Sequence, residues 1–170
     1  MATVREWADA YLAQARADLE GASSLSGAAP SVFAMLLQMA FEKLAKAALL
    51  RSGAVTVAWA QGTHAAASRM VMVMLRERGR IAPLGGPHAW QHVLSVVGTL
   101  ENSQPQVAAR LAPGSPQLEY PWETVGGAIQ WPARDLAIAT SLGNPRNNLG
   151  AHVLRFASLL VERFDQIFPA

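Results

Sequence analysis

Between Asn144 and His152 the chain sets a permanent cation, several carboxamides and an imidazole beside a helix start: Asn144-Pro145-Arg146-Asn147-Asn148-Leu149-Gly150-Ala151-His152. No other stretch is as dense in reactive groups. Arginine presents a fixed fork of N–H donors to phosphate oxygens, and histidine exchanges a proton near neutral pH. Together they form a minimal kit for cutting a phosphodiester without a metal. Two registers are open for the helix. Asn144 can cap it with Pro145 in the first position, or the cap falls at Asn147 or Asn148 and Arg146 lies in the turn before. In both, Arg146 and the amides of the helix N-terminus point at one place, which attracts anions. His152 follows Arg146 by six residues, about a turn and a half of helix. The two therefore share no face of a continuous helix, and a local break or the opposing copy of a dimer has to bring them together.

Other reactive residues carry weaker signals. His88 and His92 lie four apart on one helix, the spacing of a bidentate metal pair, but no third ligand is evident. Ala89 stands where a metallopeptidase needs glutamate, so surface or partly packed histidines and no metal are expected. Gln38, Glu42, Lys43 and Lys46 cluster on an otherwise apolar helix, with Glu42 and Lys46 in the favourable order for an ion pair. That cluster reads as a solvated stripe, or else Glu42 lines a site. Arg76, Arg78 and Arg80 suit a helix C-terminus as well as a phosphate. Gly85-Gly86-Pro87 lacks the strand and the Lys-Ser/Thr of a phosphate loop and is a turn. Trp122 and Trp131 fall in a long irregular region, where they either pin the loop to the core or stack on a base. The role of His64 is left open.

Composition bounds the scaffold that positions these groups. A chain of 170 residues is one domain, 51% hydrophobic and only 15% charged, so a helical globule is expected rather than disorder. Without cysteine there are no disulfides, thiolate metal sites or thiol nucleophiles. The net charge of +2 is too mild to announce a general nucleic-acid binder. Arg5, Glu6 and Asp9 interrupt the N-terminal apolar residues, which excludes a signal peptide, and no window approaches a membrane span. A soluble cytoplasmic protein without a cofactor is the expectation.

Apolar spacing gives a first helix from Val4 to Leu25 and a central, most buried helix from Pro30 to Arg51. A loop from Ser52 to Gly62 leads to a third helix, His64 to Arg78, with Thr63 as its cap and methionines as core filler. A fourth spans Pro87 to Glu101, and a short one Val107 to Leu111. An irregular region opens at Pro113 and reaches Trp131. A fifth long helix then runs from Pro132 to Leu142, Gly143 stops it, and the last runs to about Phe168.

Three segments resemble one family. The first helix contains Ala13-Gln14-Ala15-Arg16-Ala17-Asp18-Leu19. The central helix reads Gln38-Met39-Ala40-Phe41-Glu42-Lys43-Leu44-Ala45-Lys46-Ala47, with Thr63-His64 opening the next. The last motif is Arg146-Asn147, four residues, then His152. These are similar to the first helix, the Q-x-A-x-E-K-x-x-K-A pattern and the R-x(4 to 6)-H ribonuclease motif of HEPN-domain proteins. The likeness covers Val4 to Phe168, with an insertion from Gln104 to Trp131 longer than the family leads one to expect. It implies an all-α, single-domain bundle of about five to six helices over residues 1–170, which dimerises so that two motifs line one cleft. It also implies a metal-independent endoribonuclease in which the ribose 2′-OH attacks the phosphate. His152 would act as general acid or base, Arg146 would hold the phosphate and Asn147 would orient the site, with Glu42 as a further lining residue. RNA would be the substrate, a toxin or defence role the setting, and an antitoxin or nucleotidyltransferase a partner. The alternative is a non-catalytic HEPN module that binds a nucleotide or a partner protein.

Overall fold

The Thr3 hydroxyl accepts the Glu6 amide (3.2 Å) and the Glu6 carboxylate accepts the Thr3 amide (2.6 Å), a reciprocal box that starts helix α1, Val4–Leu25. Ala8, Leu12, Ala15, Leu19 and Ala22 form its buried stripe. Helix α2, Pro30–Arg51, begins on its proline and packs antiparallel along α1. Small alanines on both helices let the backbones approach, and every residue from Leu44 to Leu50 is buried. This hairpin is the spine of an all-α bundle, about 70% helical, which a computed structural model describes over residues 2–112 and 114–169.

Around the spine come α3 (Val57–Gly62), α4 (Ala67–Arg76), α5 (Arg78–Ile81), a 3-10 turn (Ala82–Leu84), α6 (Pro87–Asn102) and α7 (Pro105–Leu111). A two-stranded antiparallel hairpin, β1 (Trp122–Glu123) with β2 (Ile129–Gln130), follows. The chain closes with α8 (Pro132–Asp135), α9 (Ala137–Leu142), α10 (Leu149–Glu162) and α11 (Phe164–Ile167). No helix among the described residues is long and apolar enough to cross a membrane.

The all-α bundle and its long helices stand where hydrophobic periodicity puts them, but several segments divide differently. Thr56, within the expected loop, caps α3 by accepting the Trp59 amide (3.2 Å), and Thr63 ends that helix rather than starting the next. Expected helices break at Leu136 and Arg163, so the number of helices exceeds five or six. The irregular region holds the hairpin, whose buried Trp122 pins it to the core. Trp131 is half exposed, with the Arg134 guanidinium 3.4 Å from its ring centroid. Met70 and Met74 are core, as expected, whereas Met72 is exposed. Arg80 pairs with Glu77 and donates to the Ile167 carbonyl (3.1 Å), so it closes the structure rather than offering itself to phosphate.

The aromatic core joins α2, α6 and α10. Phe156 lies 6.3 Å from Phe41 and 5.1 Å from Trp90, ring centre to ring centre. The Trp90 indole donates to the Leu84 carbonyl (2.5 Å), which satisfies the polar end of a buried ring. At the end of α2, Arg51 donates to Asp9 (2.8 Å) and Asp165 (2.5 Å) and lies over the Phe164 ring. Its guanidinium pKa is raised, chiefly by the hydrogen bond to Asp9.

Candidate functional site

The carboxamides at the start of α10 decide where Arg146 stands. The Asn144 side chain accepts the Arg146 amide (3.0 Å), and that of Asn147 accepts the Leu149 amide (3.0 Å) while donating to the Ser141 carbonyl (3.1 Å). These are turns closed by side chains that mimic backbone. Asn148 adopts the left-handed conformation, φ 53°, and the helix begins at Leu149. The second register is therefore the one adopted. Arg146 is exposed in the turn ahead of the helix, and among the described residues no carboxylate lies within ion-pair distance of it.

Gly150 fits where no other residue can. A Cβ there would lie 2.2 Å from the Leu142 carbonyl oxygen and 3.0 Å from the Phe33 ring. The end of α9 thus presses on the first turn of α10, and Gly150 serves close approach rather than a kink before His152. Gly150→Ala is expected to cost about 1–3 kcal/mol or more, read as a lower midpoint in urea at unchanged slope.

His152 is exposed on α10, and its ring centroid lies 5.5 Å from that of His92 on α6, the planes inclined at 55°. His88 is exposed one turn before His92. Arg155 is exposed three residues after His152, hence a neighbour on the same helix surface. The surface thus gathers two imidazoles and a guanidinium from two helices that Trp90 and Phe156 lock together. Among the described residues no group of three or more His, Asp or Glu side chains is placed to hold a metal ion. No hydrogen bond joins Arg146 to His152, since one stands in a turn and the other faces α6.

Glu42 belongs to a second cluster. One of its oxygens accepts Lys46 (2.7 Å) and lies 3.3 Å from the His64 ring, and the other accepts Gln38 (3.1 Å). Alongside, Asp18 accepts Lys43 (2.7 Å) and Gln14 (3.0 Å). Gln38, Lys46 and Asp18 are only 4–6% exposed, so the expected solvated stripe is a buried network that joins α1 to α2. Burial, then the nearby charge of Glu42, raises the Tyr11 pKa. With both oxygens of Glu42 engaged here, its carboxylate is held within this cluster.

The cavity of about 550 Å³ between α7 and the hairpin is lined by Trp122, Glu123 and mainly small residues and contains no cationic side chain. The reactive surface and this cavity are therefore separate places. The sequence marks His92 only through its spacing from His88, and it does not single out Arg155. The spacing of Arg155 from His152 was there to be noticed, but the approach of α6 to α10 is set by packing. Comparison of the chain with models of protein families, with curated proteins and with solved structures finds no match.

Proposed function

We propose that the protein is a metal-independent endoribonuclease of the HEPN type, acting as a toxin or defence effector. The observation that carries this reading is the exposed His152 on a helix whose first turn is preceded by an unneutralised arginine, Arg146. In the reaction, one imidazole manages the proton of the ribose 2′-OH or of the leaving oxygen. Arg146 meets the charge that builds on the phosphoryl oxygens. Asn147 acts indirectly, because its amide fixes the turn that carries Arg146. A dimer in which the Arg146 of each copy reaches the His152 of the other reconciles the exposed arginine with its separation from the histidine on one chain.

The second reading, a non-catalytic module that binds a nucleotide or a partner such as a nucleotidyltransferase, is favoured by the use of Asn147 as a turn-former and by the lack of a direct link between Arg146 and His152. The deciding assay is incubation of the purified protein with total RNA and tRNA in EDTA, beside Arg146→Ala and His152→Ala. Cleavage by wild type and loss in both folded variants supports the ribonuclease. Absence of cleavage, or equal cleavage by the variants, removes it in favour of the binding module.

A further inference from the structure

We infer that His92 is a second catalytic residue, which forms with His152 an acid–base pair on one protomer. The inference rests on the ribonuclease reading, to which it adds a residue outside the Arg146–His152 motif. Cleavage through the 2′-OH moves two protons at opposite ends of one phosphodiester. A base must take the hydroxyl proton as the new O2′–P bond forms, and an acid must supply one to O5′ as the P–O5′ bond breaks. A lone histidine can hold only one of these positions at a time. Without a metal to stabilise an unprotonated alkoxide, the other position needs a second group.

The geometry points to His92 for that position. Each imidazole reaches about 2.6–3.2 Å to a hydrogen-bonded oxygen, so rings 5.5 Å apart can touch the attacking and leaving oxygens of the same phosphate. Both rings are exposed. Of the other histidines, His64 is held against Glu42 in the buried network, and His88 lies a further turn along α6. Arg155, adjacent to His152 on the same surface, adds a cation for the non-bridging oxygens. The pair begins with one proton between its two rings. The neutral ring gains the 2′-OH proton and the protonated ring gives its own to O5′, leaving a 2′,3′-cyclic phosphate and a free 5′-hydroxyl. The pair still holds one proton, now on the other ring, and exchange with water resets it.

A substrate with a modified leaving group separates the two roles. An oligoribonucleotide bearing the tRNA sequence that wild type cuts is prepared with the ordinary 5′-oxygen and with a bridging 5′-sulfur. A thiolate leaves without a proton because thiols are far more acidic than alcohols. His92→Ala is expected to slow cleavage of the oxygen substrate by about 10²–10⁴-fold, with unchanged thermal unfolding. One of His92→Ala and His152→Ala, the variant lacking the acid, recovers on the sulfur substrate, and the other stays slow on both. If His92→Ala cuts the oxygen substrate as wild type does, or neither variant recovers on sulfur, the pair is overturned while the ribonuclease reading stands on His152. If wild type cuts no RNA at all, the two fall together.

Discussion

Alanine at His152 is expected to slow RNA cleavage by about 10²–10⁴-fold, the range that a positioned proton-transfer group contributes. Stability should be nearly unaffected, because the ring is exposed and a surface substitution of this kind stays within about 0.5 kcal/mol. That separation gives the measurement its force. His64→Ala is the matched control: it removes an imidazole from the Glu42 cluster and should leave the cleavage rate intact. Arg146→Ala should show a loss of the order seen when one charge-stabilising donor is removed, about 10²–10³-fold, again with the fold intact, since the hydrogen bonds that shape its turn come from the Arg146 backbone and from Asn144. Rates measured in EDTA, with thermal melts alongside, check all three. A His152→Ala protein that cuts at the wild-type rate would sink the proposed chemistry.

Glu42→Ala is expected to cost about 3–5 kcal/mol of stability, the penalty for stranding one member of a buried ion pair. Lys46, 5% exposed, would lose the carboxylate that accepts its ammonium, with the Tyr11 ring nearby. Gln38 and His64 would lose a partner in the same step. Replacing both members, Glu42→Leu with Lys46→Met, should recover part of that loss, because no buried charge is then stranded, although Gln38 and His64 still lack their partner. Urea titrations of wild type, single and double variants measure it. A single variant within about 1 kcal/mol of wild type would mean that water reaches the cluster and supports the stranded lysine. Tyr11 gives a second readout: with Glu42 gone, one of the two causes that hold its pKa up disappears, and the pKa should fall toward the ordinary tyrosine value.

How much of this was legible in the sequence differs from helix to helix. The alanine and leucine spacing of α1 and the proline that opens α2 place both helices, because those signals are local and agree with the burial each helix achieves. The polar residues of α2 misled for a non-local reason. Gln38, Glu42 and Lys46 form a polar face at helical spacing, and whether such a face meets water or another polar face depends on the partner, here α1 with Asp18 and Tyr11 and the segment bearing His64. Thr63 and Thr56 are equally good caps by residue type, and the six-residue α3 is too short for periodicity to reveal. At the site, Arg146 and His152 were conspicuous as residue types. The turn register had to await Asn147, whose amide bonds at both ends, and the His92–His152 approach depends on how Trp90 and Phe156 lock α6 to α10.

Arg51 bears on the order in which the protein can be completed as it is made. Its guanidinium is shared between Asp9, which emerges long before it, and Asp165, which follows it by 114 positions. Until α11 has left the ribosome, that side chain has only its first carboxylate. The apolar faces that Phe164, Ile167 and Phe168 cover stay open to other chains until that segment emerges. A nascent chain that has emerged to the end of α10 already carries Arg146 and His152, yet it lacks the segment that closes the bundle. The proposed site therefore has all its side chains before the scaffold beneath it is closed.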